Sequence, residues 1–228
     1  MNTDEIFKRF NLLRNSRGVW ESHWEEIAER VMPRSAEFTG ERTQGDKRTQ
    51  KLFDATAALA LERFAAAVES LLTPRGAAWH TLRSTSPEGH MSLGAFGTGV
   101  TFVDEAPTRG AIYRAVHLAD AFIAENEHGQ IDTVFRRFEV SARQALRMFE
   151  DGNLSDELRK TANDKPDERI KLLHCVMPRT DRDPTRRDRK NAPWFSGYYE
   201  IATRNMIEEG GFDTNPYVVS RYVTGPRE

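Results

Sequence analysis

Apolar side chains recur through the first thirty residues at spacings of three, four and seven: Ile6, Phe10, Leu13, Trp20, Trp24, Ile27 and Val31. That period predicts one amphipathic helix. Thr3 is placed to cap it, Asp4 and Glu5 suit the positive end of its dipole, and Pro33 stops it. At about 1.5 Å per residue such a helix is roughly 40 Å long. A helix of this length needs an extended surface to lie on, which constrains the rest of the chain more than any other feature.

The polar stretch 34–48, with Gly40 and Gly45, reads as a loop. A second helix is expected over about 49–72. Its apolar side carries Leu52, Phe53, Leu59, Ala60, Phe64, Ala67, Val68 and Leu71, and Ala55, Ala57, Ala58, Ala65 and Ala66 form a face suited to close packing. The pattern then turns to strands. A short strand is expected at 79–84, followed by a break at 84–90 around Pro87 and Gly89. The glycine-rich stretch 93–99 leads into a strand at 100–104, with a partner at 112–116. The clearest hairpin has arms 121–126 and 130–140 about a turn at Glu127, His128 and Gly129. Ser141 and Gln144 fit a capping box, and Ser155 opens a second short helix. Strands return at 169–177, 194–203 and 217–223. These elements predict an α+β fold: two long N-terminal helices, then a mostly antiparallel β-rich region with short inserted helices. The corresponding division is 1–76 and 77–228.

The chain of 228 residues has a net charge of −2, which argues against a general nucleic-acid binder. Its basic residues are 26 Arg against 7 Lys, and Arg forks suit bidentate pairing with carboxylates across interfaces. The one cysteine, Cys175, excludes an intrachain disulfide and points to a reducing compartment. The N-terminus has no apolar leader, and the longest apolar run, 55–61, falls far short of the roughly 20 residues that span a bilayer. A soluble chain made in the cytoplasm is expected.

The chemistry-bearing motifs are weak. The six histidines form no H-x3-H or HExxH pair, and His174 and Cys175 are neighbours in an expected strand, on opposite faces. The glycines at 94, 97 and 99 lack the Lys-Ser/Thr of a phosphate loop and precede a strand, so they read as a tight turn or close backbone approach. Glu125, Glu127 and His128 sit at a hairpin tip and would need a nucleophile beside them to form a hydrolase site. No cofactor and no metal are expected. The stretch 179–190 is the one concentrated charge feature: Arg179, Arg182, Arg186, Arg187, Arg189 and Lys190 stand among Asp181, Asp183 and Asp188. It reads as an exposed loop, or as a contact for DNA or a partner protein.

Several segments together resemble one family. Leu12 to Ile27 followed by Pro33 and Arg34, Leu52 to Thr56, Leu71 to Arg75 with Trp79, and Leu93 to Gly99 resemble podovirus (T7-like) head-to-tail connecting, or portal, proteins. So do Ala124 to Gly129, Val134 to Phe138, Ala142 to Leu146, His174 to Val176, Pro178 with Arg179, and Glu209 to Thr214 with Pro216 and Tyr217, in family order. The resemblance implies a structural virion component and no enzyme. It would form a twelve-fold ring at one capsid vertex, with capsid, terminase and tail proteins as partners and double-stranded DNA passing through. It would be found in the virion, and in the host cytoplasm during assembly, with no membrane. These residues would belong to the wing-like periphery. The family has a longer segment before the stretch 93–99, as if a piece were deleted here. It is also more than twice as long, so the chain reads as a truncated copy unable to build the whole channel alone. The alternative is a nucleic-acid-binding module using the loop 179–190.

Overall fold

The computed structural model describes residues 2–32, 36, 38–39, 54–72, 80–106, 110–150, 152–183, 185–186 and 188–221. The amphipathic stripe forms the helix α1, Thr3–Val31. Its cap lies one residue earlier than expected: the Asn2 side chain accepts the Asp4 N–H at 3.1 Å. Asn2 also offers its carbonyl to the Ile6 N–H. Thr3 is the first helical residue.

The chain divides into two units, one of residues 1–15 and 120–215, the other of 16–119 and 216–228. The first is built on an antiparallel sheet. Its strands are β3 (Ala121–Glu125), β4 (Ile131–Ser141), β5 (Arg169–Pro178), β6 (Trp194–Glu200) and β7 (Met206–Phe212), hydrogen-bonded in that order. Each strand is joined to the next one in the chain, so the expected hairpin at 121–140 is the first step of a meander. β5 is the central strand, and Leu172 to Met177 are buried without a break, the mark of a strand covered on both faces.

On one face Phe122, Phe135, Leu173, Cys175, Met177, Phe195 and Tyr199 pack with Ile6, Phe7 and Phe10 of α1. The Phe10 ring meets Phe122 edge-on at 5.0 Å. On the other face lie two short helices, α4 (Ala142–Met148) and α5 (Asp156–Asp164). Ala142, Ala145, Phe149, Leu154, Leu158 and Ala162 pack there with Leu172 and Ile207. Both helices start as the sequence predicts. Ser141 and Gln144 form the capping box, and Ser155 caps the Leu158 N–H. The buried Glu200 carboxylate secures α5 by accepting the Ser155 N–H at 2.8 Å and its hydroxyl at 2.6 Å, and the Thr203 hydroxyl at 2.7 Å. The chain therefore turns at 201–203, ending β6 three residues earlier than expected. β7 was not anticipated, because Glu208, Glu209, Gly210 and Gly211 are depleted in strands.

The second unit holds the rest of α1 with α2 (Ala55–Leu72), α3 (His80–Phe96) and a sheet of β2 (Gly110–Val116), β1 (Thr98–Ala106) and β8 (Tyr217–Arg221). α2 begins after Asp54, which accepts the N–H groups of Thr56 and Ala57 at 3.0 Å each. Residues 49–53 of the expected helix, Leu52 and Phe53 among them, lie outside the described residues. Burial runs through Leu61 and Ala65, with Ala57 and Ala58 half-buried, while Ala55 and Ala66 of the expected alanine face are exposed, Leu59 and Phe64 are 54% and 38% exposed and Leu71 is 83% exposed.

The strand expected at 79–84 and the break at 84–90 are both overturned, because 80–96 is helical with Pro87 inside it. Proline removes one hydrogen bond but does not forbid a helix that neighbours support. α3 packs on α2 and against the sheet, and Gly99 lies so close to it that an added Cβ would come within 2.8 Å of the Gly89 carbonyl oxygen. Gly97, with φ +72°, ends the helix as its N–H bonds the Leu93 carbonyl at 2.9 Å. The tight turn and close approach expected of these glycines are present.

Glu25 is buried in this unit, accepting the N–H groups of Phe38 and Thr39 at 2.6 and 3.2 Å. The Phe38 ring packs against Trp24, Phe96 and His117.

Phe10→Ala should lower stability by about 3–5 kcal/mol, because it empties a buried site that cannot easily collapse. Trp20, 59% exposed, should cost no more than about 0.5 kcal/mol on truncation to Ala. Urea denaturation of the two variants checks the contrast.

Candidate interaction surface

The loop between β5 and β6 is built from its base upward. The Arg179 N–H bonds the Pro193 carbonyl at 2.9 Å and closes the hairpin. The Arg179 side chain is 6% exposed. Its guanidinium pairs with Glu209 at 2.9 Å, donates to the Gly210 carbonyl at 3.0 Å, and lies over the Phe195 ring at 5.1 Å. Arg179 therefore fastens the hairpin to β7. The return limb presses on β7 too, since a Cβ at Gly211 would collide with the Arg189 carbonyl and the Ala192 methyl.

The tip is held by its own acids and amides. Asp183 accepts the Thr185 N–H at 3.0 Å and its hydroxyl at 2.6 Å. Those two hydrogen bonds hold the Asp183 carboxyl below the usual carboxylate range. Asn191 donates its side-chain N–H to Asp188 at 2.8 Å, and its side-chain oxygen accepts the Asp183 N–H at 3.3 Å. Arg189–Asn191 forms a short 3-10 turn. Arg186 approaches Asp183 at 3.8 Å with both side chains half in water, a pairing of little energy. Arg182, Arg189 and Lys190 are exposed and make no ion pair among the described residues. Arg187 lies outside the described residues. Of the six basic residues singled out, one is a buried anchor and four are displayed on a braced tip. The display can attract anionic or carboxylate-rich surfaces.

The other candidates are separated by the fold. His174 and Cys175 point to opposite faces of β5. Cys175 lies in the aromatic core, where burial pushes its thiol far up. His174 stacks flat on Tyr198 at 4.1 Å and hydrogen-bonds the Ser196 hydroxyl at 2.9 Å. Burial, and secondarily the charge of Arg136, push the imidazole down to about 3. His128 and Glu127 approach at 3.5 Å on the hairpin tip, largely in solvent. Among the described residues no three His, Cys, Asp or Glu side chains gather to hold a metal. No described helix is long and apolar enough to cross a membrane. The anchoring role of Arg179 was missed, because its partner Glu209 lies on the strand the sequence did not reveal.

The model of the bacteriophage head to tail connecting protein family matches residues 3–92 and 82–228, and the chain belongs to that family. The two matches meet within 82–92, where the sequence reads as shortened. The chain is similar to the probable portal protein of Bordetella phage BPP-1, at 27% identity over 243 residues, covering 90% of this chain and 44% of that protein. It is also similar to the portal protein of Salmonella phage epsilon15, at 24% over 256 residues, covering 96% and 46%. The chain spans less than half the length of these curated relatives.

The buried histidine gives a pH prediction. The unfolded chain takes up a proton at His174 below about pH 6.5, and the folded one refuses it until about 3. Stability contributed by this group is therefore present above pH 6.5 and is lost as pH falls toward 3, by at most about 1.4 kcal/mol per pH unit. His174→Gln should flatten that limb in urea midpoints measured from pH 7 to 4.

Proposed function

We propose that this chain is a structural subunit of a phage portal assembly, forming wing-like peripheral parts of a ring at the capsid vertex. Its partners in that role are further copies of itself in a twelve-fold ring, together with capsid, terminase and tail proteins. Double-stranded DNA passes through the ring. The chain acts in the virion, after assembly in the host cytoplasm, with no membrane, cofactor or covalent chemistry of its own. The family match running from residue 3 to 228 carries this reading. The apolar groups left on helix surfaces support it: Val19 and Trp20 on α1 are 80% and 59% exposed, and Leu71 and Leu72 on α2 are 83% and 68% exposed. Size-exclusion chromatography with light scattering should show concentration-dependent self-association. Val19→Ser with Trp20→Ser should weaken it at least tenfold without lowering the melting temperature. A wild-type chain that stays monomeric at every soluble concentration would sink the reading.

A second reading is favoured by the displayed side chains of Arg182, Arg186, Arg189 and Lys190. In it, the β5–β6 tip contacts duplex DNA. Affinity should then fall with salt by a slope near −0.9 per phosphate neutralised, and Arg186→Ala with Arg187→Ala should reduce that slope by about 2. Salt-independent binding, or none, removes this reading.

A further inference from the structure

A second cationic feature lies away from the β5–β6 tip. Arg204 has φ +56°, the one non-glycine residue at positive φ among the described residues. A long side chain is uncommon there, because the Cβ crowds the backbone. Strain of this kind persists only where the surroundings enforce it. Both flanks of Arg204 do so. The Thr203 hydroxyl is tied to the buried Glu200 carboxylate at 2.7 Å. Asn205 donates its N–H to Thr203 at 3.4 Å, and its side chain donates to the Asn153 carbonyl.

The exposed guanidinium has an aromatic platform. It lies over the Phe7 ring at 5.6 Å, and Phe7 is itself buried edge-on against Tyr199 at 5.9 Å. Yet Arg204 forms no ion pair with a described carboxylate. It borders an open groove of about 480 Å³ along the outer face of α1. Lys8, Asn11 and Asn15 line that groove at helical spacing and bring one further cation and two amides. Leu12 adds an apolar side chain 61% exposed, and Asp4 offsets one of the two positive charges.

The geometry points to a binding site for an acidic polypeptide segment, in which Arg204 takes a carboxylate and Leu12 takes an adjacent apolar side chain. A guanidinium carried on a tied turn and resting on an aromatic ring loses less freedom on pairing than one on a free loop, and its fork matches a carboxylate bidentately. Charge complementarity selects an acidic partner, and the exposed Leu12 beside the amides selects a peptide over a simple anion. The site is independent of the basic tip and of the ring reading.

The test uses the full chain and a fluorescein-labelled nonapeptide, Gly-Ser-Glu-Leu-Glu-Leu-Glu-Ser-Gly, against its glutamine counterpart, followed by anisotropy at near-physiological salt. The glutamate peptide should bind at least tenfold more tightly than the glutamine one. Arg204→Gly should weaken it at least tenfold while melting no lower than wild type, because glycine accepts this backbone freely. Arg204→Lys should retain part of the affinity. No binding, equal binding of the two peptides, unchanged binding by Arg204→Gly, or loss only in an Arg186→Ala, Arg189→Ala variant would each overturn the assignment.

Discussion

Two-sided burial of β5 is the constraint on which the first unit depends. Six consecutive side chains, Leu172 to Met177, leave water together, and no single layer can cover both faces of a strand. One face takes the first turns of α1, and the other takes α4 and α5. The same constraint governs the polar atoms caught inside. His174 must be neutral, with a hydroxyl and an aromatic face beside it, and Cys175 is left an inert apolar filler. The Glu200 carboxylate is tolerated because two hydroxyls and one amide N–H surround it.

Arginine has two distinct uses here that composition alone cannot separate. Arg17 reaches the carbonyls of Leu118 and Ala119 at 2.9 and 2.7 Å while pairing with Glu21 at 2.6 Å. Arg179 does the equivalent with Gly210 and Glu209. In both, one fork satisfies a backbone acceptor and a carboxylate at once, which a lysine ammonium does less well. Arg182 and Arg189 of the β5–β6 tip have no such internal employment, while Asp183 and Asp188 are engaged by Thr185 and Asn191.

Sequence patterning reached those elements whose signals are local. α1, the 121–141 hairpin, the capping box at Ser141 and the start of α5 at Ser155 follow from side chains within a few positions of one another. Patterning failed where distant packing overrides local preference. α3 runs through Pro87 and Gly89 because α2 and β1 lie against it, and β7 forms from glutamates and glycines because β6 offers it a ladder. The inward face of α2 was legible only in part: Ala65 packs closely as its alanine-rich face suggests, but Leu61 is buried, Ala55 and Ala66 are exposed, and the choice is made by a neighbour invisible in the helix's own period. Of the basic stretch 179–190, the charge was legible and the burial of its first member was not.

The pairing of β1 with β8 has a consequence for how the chain is made. Val100 lies opposite Val219, so the edge of the three-stranded sheet is supplied by residues translated long after its centre. On the ribosome, β1 and β2, with α3 already against them, wait for their third strand while the whole five-stranded meander emerges in between. The meander needs nothing downstream of residue 215 and is free to consolidate first. The order of synthesis thus leaves one edge of β1 uncovered until β8 has emerged to close it.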